Sequence, residues 1–258
     1  MTMRTDPVGV FDSGVGGISV LAELRRILPK EDFIFFGDTA HAPYGTKPPE
    51  EVLGYVQGVM EHLLDQGVKA VVIACNTATS VAAAELRARY ELPIIGIEPA
   101  LKPAHELRHG GKILVLATPV TLKLAKFARL MERYGEGACP LPCPGLMDLV
   151  EKEDFEEAKH YLQELFKPFD MGEVDAVVLG CTHYSFLRPV LAQILPENIP
   201  VLDGNQGTAR QLARVLEDRG LTNLNGSGSV RLETSGDPAA ALPVMERLLK
   251  RMEKQIEG

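Results

Sequence analysis

The sequence predicts an α/β protein of two pseudosymmetric, doubly wound domains with mostly parallel sheets and an active-site cleft between the domains. Short, fully apolar, β-branched runs alternate with segments whose apolar residues recur every three or four positions, which is strand and amphipathic helix in turn. The apolar runs show no inside–outside alternation, as befits strands covered on both faces of a parallel sheet. One run, Ala70-Val71-Val72-Ile73-Ala74-Cys75-Asn76-Thr77, is echoed without a gap by Ala176-Val177-Val178-Leu179-Gly180-Cys181-Thr182-His183, at a constant offset of 106 residues. Ligands of open parallel sheets bind beyond the carboxyl ends of the strands. Each half is therefore expected to offer one cysteine to a shared cleft.

In order, a strand at 8–12 enters the turn Ser13-Gly14-Val15-Gly16-Gly17, and Ile18, Leu21, Leu24 and Leu28 mark the helix after it. A second strand, 33–38, ends at Thr39-Ala40-His41-Ala42-Pro43-Tyr44-Gly45-Thr46-Lys47-Pro48-Pro49, whose prolines and glycine predict an ordered loop. A helix through Val52, Val56, Val59, Leu63 and Leu64 leads to the Cys75 strand. The next helix, 78–90, is expected to start near Asn76 or Thr77, since both residue types cap well.

A strand at 93–98 and a helix near 100–109 follow, then a strand at 112–118 and a helix from Pro119 to about Tyr134. Residues 138–145 hold three prolines and suit an edge strand. Beyond them come a helix at 154–168, the Cys181 strand, a helix at 185–195 and a strand at 199–203. Gly204-Asn205-Gln206-Gly207 opens another helix, Asn225-Gly226-Ser227-Gly228 is a flexible stretch, and a strand at 230–236 precedes a helix from Asp237 or Pro238. No low-complexity linker separates the halves. The last helix, strand and helix are thus expected to return to the first sheet, giving one discontinuous domain of residues 1–98 plus 208–258 with Cys75, and a second of 99–207 with Cys181.

A formal charge of −8 argues against a nucleic-acid partner, which calls for a basic face, and against an anionic membrane surface. No apolar run approaches the roughly 20 residues of a bilayer span, and the amino-terminal residues lack a signal-peptide core. The four cysteines, at 75, 139, 143 and 181, have no C-x-x-C spacing, so reduced thiols and a cytoplasmic location are expected. Cys139 and Cys143 lack the further ligands that zinc needs, and no metal site is expected. His62, His105, His109 and His160 fall on helices as surface or packing residues, and His41 sits in the proline-rich loop. His183 differs, because it follows Cys181 by two residues at a strand end.

The turn Asp12-Ser13-Gly14-Val15-Gly16-Gly17 lacks the third glycine, inside the helix, of a dinucleotide fingerprint. It could be a tight turn capped by Asp12, or a glycine-lined anion pocket in which a carboxylate meets Ser13 and backbone donors. A lone cysteine is usually a buried small hydrophobe. Two in matching strand-end settings point instead to chemistry. A thiolate at a helix N-terminus can serve as a base. Two such groups suit a reaction that treats both faces of one carbon alike, one thiolate taking a proton while the opposite thiol returns one. Asp12 is then the local partner of Cys75, and His183 that of Cys181.

The segments Asp12-Ser13-Gly14-Val15-Gly16-Gly17, Gly37-Asp38-Thr39, Pro43-Tyr44-Gly45, Cys75-Asn76-Thr77-Ala78 and Gly180-Cys181-Thr182-His183-Tyr184, in that order, resemble the glutamate racemases. The resemblance spans most of the chain. It implies a cofactor-independent racemase that interconverts L- and D-glutamate, supplies D-glutamate for peptidoglycan, and forms a homodimer. By matching position, Cys75 would handle the α-proton of D-glutamate and Cys181 that of L-glutamate. Asp12 and His183 would assist while touching substrate, and Glu151 falls where the family has an assisting acid. Ser13, Tyr44, Gly45, Asn76, Thr77 and Thr182 would bind substrate, with Thr118 and Thr121 as additions. Leu124 and Phe127 depart from the family, which usually has Ser and Tyr there, and the proline-rich segment before Glu151 is arranged differently. A racemase for aspartate or a related acid is the nearest alternative. A non-catalytic small-molecule-binding protein with packed thiols is the other. The gyrase binding of some family members is not expected, for want of an N-terminal extension or a basic patch.

Overall fold

Apolar runs become strands and periodic segments become helices in the computed structural model, which describes residues 3–257. Met1, Thr2 and Gly258, at the outer bounds of the expected first domain, lie outside the described residues. The chain begins β1 (Val8–Asp12), α1 (Ile18–Ile27), β2 (Phe33–Gly37), α2 (Pro49–Asp65), β3 (Ala70–Ile73), α3 (Asn76–Arg89), β4 (Ile94–Gly96). It goes on through α4 (Leu101–Glu106), β5 (Lys112–Ala117), α5 (Pro119–Lys123), α6 (Ala125–Tyr134), β6 (Ala138–Pro142) and α7 (Leu146–Glu151). Then come α8 (Phe155–Phe166), β7 (Val174–Leu179), α9 (Arg188–Ile194), β8 (Val201–Asp203), α10 (Asn205–Asp218), β9 (Val230–Thr234) and α11 (Pro238–Glu257). One compact unit runs to Glu98 and resumes at Asn205; the other is Pro99–Gly204. No helix among the described residues is long and apolar enough to cross a membrane.

The first unit carries a parallel sheet in the order β4-β3-β1-β2-β9, the second a parallel sheet in the order β6-β5-β7-β8. Read from its other edge, the second is β8-β7-β5-β6. Each unit therefore arranges its own first four strands as fourth, third, first, second, and β9 extends the first sheet beyond β2. The strands of the sequence echo, β3 and β7, hold equivalent places. In such a doubly wound sheet the chain reverses its direction of travel between the first and third strands, and that reversal opens the binding crevice. Within each unit taken by itself, the strand ends at that reversal are those of β1 and β3 in the first and of β5 and β7 in the second.

Every residue of β1, β2 and β3 is buried, which is why these runs show no alternation. On one face, Val52, Val56, Val59, Met60 and Leu63 of α2 pack with Ala78, Ala82, Ala83 and Leu86 of α3 and with Val71 and Ile73 of the sheet. The start of α1 needs a glycine. A Cβ on Gly17 would stand 2.6 Å from the Asp12 Cβ and 2.9 Å from the Ala74 Cβ, so any side chain there would push the helix off the strand ends that carry Asp12 and Cys75.

Some local expectations are revised. The single helix foreseen over 119–134 is interrupted at Leu124, whose backbone is extended (φ −76°, ψ 142°). After the break, Phe127 joins the core formed by Leu101, Ile113, Val115, Ala176 and Val178. The six-residue α7 was not foreseen; it buries Leu146 and Val150 and carries Glu151 at its end. The proline-bearing β6 does lie at the edge of its sheet, where a missing N–H costs no ladder bond.

At the amino ends of the first unit's strands, Lys69 and Glu31 form an ion pair of 2.5 Å with side chains 0% and 1% exposed. Lys69 also donates to the Arg4 carbonyl at 2.5 Å, and Glu31 accepts from the Asn223 N–H at 2.7 Å. One buried pair thus ties the amino-terminal segment, the entries to β2 and β3, and the chain beyond α10. Lys69→Ala strands a buried carboxylate, and we expect it to lower the unfolding free energy by about 3–5 kcal/mol. The Glu31→Leu/Lys69→Met double variant, which leaves the Asn223 N–H and the Arg4 carbonyl without their partners but buries no lone charge, costs less. Urea titration checks this; an unchanged midpoint for Lys69→Ala removes the pair from the stability of the fold.

Candidate active site

In the first unit, β1 delivers Asp12 and β3 delivers Cys75 to adjacent strand ends. Cys75 is itself the N-cap of α3, in place of the expected Asn76 or Thr77, which stand already in the first turn. Its Sγ accepts from the Ala78 N–H at 3.4 Å and its thiol donates to Ser13 Oγ at 3.6 Å. Ser13 Oγ in turn donates to Asp12 Oδ1 at 3.4 Å, and the Gly14 N–H donates to the same oxygen at 2.9 Å. A thiol, a hydroxyl and a carboxylate thus form one chain of polar contacts. The N–H and the helix N-terminus favour negative charge on the sulphur. Cys75, Ser13, Asn76 and Thr77 are almost wholly buried, Asp12 completely. The Asn76 Oδ1 is buried without a hydrogen-bond partner, an acceptor suited to a cationic donor.

Asp38, just past β2, is buried beside this group, its N–H donating to the Asp12 carbonyl at 3.0 Å. Tyr44 Oη donates to Asp38 Oδ2 at 2.5 Å, and His41 Nδ1 lies 2.8 Å from Asp38 Oδ1. Burial pushes the Tyr44 hydroxyl far above the usual phenol range, and the Asp38 carboxylate pushes it further, so Tyr44 stays a neutral donor. Gly45 follows it in the short turn Tyr44–Thr46. His41 stacks on Tyr55 with ring centres 4.0 Å apart.

In the second unit, β7 delivers Cys181. Its Sγ lies 3.8 Å from His183 Nδ1, and His183 Nε2 lies 2.9 Å from Glu151 Oε1. Burial alone would lower the imidazole pKa. The hydrogen bonds and charges of Cys181 and Glu151 outweigh it and hold the group well above its ordinary value. Glu151 behaves inversely: burial raises it, but the His183 hydrogen bond and charge win and bring it down. Both shifts favour the charged forms, an imidazolium paired with a carboxylate, and the Cys181 sulphur lies beside the ring. Thr182 is buried next to Cys181. At the neighbouring end of β5, Thr118 Oγ1 accepts from the Thr121 N–H at 3.3 Å and lies 2.9 Å from the Thr121 hydroxyl, capping α5.

The structure thus gathers Asp12, Ser13, Cys75, Asn76, Thr77 and the Tyr44 turn in one unit, and Glu151, Thr118, Thr121, Cys181, Thr182 and His183 in the other. Asp38 and Cys143 are additions that sequence reasoning did not assign to the site. Cys143 follows β6, its N–H donating to the Ala117 carbonyl at 3.0 Å, and its own carbonyl accepts from Tyr184 Oη at 3.1 Å. Burial, with the charge of Cys181, pushes the Cys143 thiol up to about 12, so it stays protonated beside the Cys181 sulphur. No group of three or more His, Cys, Asp or Glu among the described residues is placed to hold a metal ion.

A family model described as Asp/Glu/hydantoin racemase matches residues 8–212. Over 255 residues the chain is 47% identical to the glutamate racemase of Bifidobacterium adolescentis, covering 96% of this chain and 99% of that one. Its structure is similar to that of Thermus thermophilus glutamate racemase in complex with β-chloro-D-alanine, with a TM-score of 0.84 and 38% identity over 96% of this chain and 94% of that one. Escherichia coli glutamate racemase in complex with L-glutamate and the activator UDP-MurNAc-Ala gives a TM-score of 0.84 at 30% identity, over 96% and 95% of the two chains.

Proposed function

The chain belongs to the Asp/Glu/hydantoin racemase family, and from that premise we propose that it is an isomerase that interconverts L- and D-glutamate by a two-base reaction. Cys75 and Cys181 address opposite faces of the substrate α-carbon, Cys181 taking the proton of L-glutamate and Cys75 that of D-glutamate. The observation that carries this reading is the repetition of one device on two equivalent strand ends. Each thiol meets a polar carrier and then a carboxylate: Cys75, Ser13 and Asp12 in one unit, Cys181, His183 and Glu151 in the other.

The α-proton of an amino-acid zwitterion is a very weak acid, so the developing carbanion needs preplaced donors in a site that excludes water. The glycine-lined turn after Asp12, the hydroxyls of Thr77 and Thr182, and the Tyr44-Gly45 turn supply donors for the two carboxylates. Thr118 and Thr121 add hydroxyls at the end of β5. The unpartnered Asn76 Oδ1 accepts from the substrate ammonium. When Cys181 leads, the His183 imidazolium steadies its thiolate, and Cys75 delivers a proton to the other face. Supply of D-glutamate for peptidoglycan, a cytoplasmic setting and a homodimer complete the proposal.

Proton NMR of the purified protein with L-glutamate in D₂O, without added cofactor, tests it. The expected result is loss of the α-proton signal in step with decay of optical rotation to zero. Exchange with aspartate but not glutamate moves the substrate to the shorter acid and keeps the mechanism. Binding without any exchange removes the racemase reading.

A further inference from the structure

Strand β9 reaches the first sheet from the far end of the chain, and its register sets Thr234 opposite Gly37 of β2. The next residue, Ser235, therefore stands beside Asp38. Its N–H donates to the Gly37 carbonyl at 3.2 Å. Its hydroxyl donates to Asp38 Oδ1 at 2.5 Å and accepts from the Ala40 N–H at 3.1 Å. Thr234 Oγ1 lies 2.6 Å from Thr39 Oγ1, and a Cβ on Gly236 would collide with that Thr39 hydroxyl, so the β9 end closes tightly on the start of the loop. Asp38 is 2% exposed and gathers Ser235, His41 and Tyr44 on its two oxygens.

We infer that Ser235 is a positioning residue for substrate binding, which fixes the Tyr44-Gly45 turn by holding the Asp38 carboxylate and the Ala40 N–H. The inference rests on the proposed role of that turn in gripping glutamate. A serine hydroxyl has one proton to give, and here it goes to Asp38 while the oxygen accepts from Ala40. Removing the hydroxyl leaves the Ala40 N–H without its acceptor and lets the carboxylate turn, so the Tyr44 hydroxyl loses a fixed partner. A residue that orients a gripping turn contributes to binding of ground state and transition state alike, and its loss appears in KM with kcat preserved.

The test is steady-state racemisation by the wild type, Ser235→Ala and Ser235→Thr proteins, with hydrogen exchange of the amides over 39–46 followed by mass spectrometry. For Ser235→Ala we expect KM about tenfold higher for both enantiomers, the factor carried by one hydrogen bond to a charged group, and kcat within about twofold of wild type. Exchange over 39–46 rises in the same variant. Ser235→Thr keeps the hydroxyl and returns both readouts towards wild type. An active wild type with unchanged KM in Ser235→Ala overturns the inference and leaves the racemase reading standing. Unchanged exchange over 39–46 overturns it whatever the activity. A wild type that neither racemises glutamate nor exchanges its α-hydrogen overturns the racemase reading itself, and with it the substrate role given to Ser235.

Discussion

Cys75→Ser and Cys181→Ser are each expected to lower kcat/KM for racemisation by about 10³-fold, within the span that a positioned acid or base contributes. Serine keeps the shape and gives up the acidity, since a hydroxyl holds its proton far more tightly than a thiol. The loss must be equal in both directions. Enantiomers have equal free energy in water, so the equilibrium constant is one, and kcat/KM for L- and D-glutamate cannot differ in any variant. Racemisation alone therefore cannot say which thiol serves which enantiomer. A glutamate with a leaving group on Cβ can, because elimination needs only the first half of the reaction. One thiolate takes the α-proton, the electron pair forms the Cα–Cβ double bond, and the leaving group departs without a second acid. Cys75→Ser is expected to retain elimination from the L enantiomer through Cys181 and to lose it from the D enantiomer, with the reverse for Cys181→Ser. Wild-type racemisation by either variant sinks the two-base reading, and so does elimination from the same enantiomer by both.

Why the thiols were legible in sequence, and their neighbours only in part, has a physical explanation. A strand buried on both faces must be apolar throughout, so the ends of β3 and β7 stand out wherever the run stops, and Cys75 and Cys181 are the first reactive groups beyond it. The cap of α3 was misassigned because β3 passes into the helix almost without a connecting loop. The strand-end residue is then already the cap, and its sulphur does what an Asn or Thr oxygen does elsewhere. Glu151 was reached only through family resemblance, since α7 is too short to show a helical period. The grip of Ser235 on Asp38 joins residues 197 positions apart, and no local pattern announces such a pairing. It becomes visible only when β9 is seen beside β2.

His183 is expected to matter nearly as much as the thiols, with His183→Asn lowering kcat by about 10²–10³-fold, and its ionisation should be readable in stability. The folded imidazole titrates well above 6.5, so its contribution is complete below about pH 6.5 and is lost as pH rises through the folded value. The folded Glu151 titrates below 4.5, so its contribution is complete above about pH 4.5 and is lost as pH falls through the folded value. The stability advantage of wild type over Glu151→Gln is therefore expected to be greatest between about pH 4.5 and 6.5 and to shrink on either side. Urea unfolding across pH measures that advantage, and NMR titration of the His183 ring should show its midpoint moving down in Glu151→Gln. An advantage that is flat from acid to alkaline pH, or an unmoved ring titration, means the pair is not an imidazolium and a carboxylate. His183 would then be a neutral hydrogen-bonding group, and the Cys181 thiolate would lack the charge that steadies it. The asymmetry between the two halves makes this measurement informative: Cys75 contacts a helix N–H and a hydroxyl, whereas Cys181 lies beside an imidazole. In the proposed reaction only the second would steady its thiolate with a charge that depends on pH.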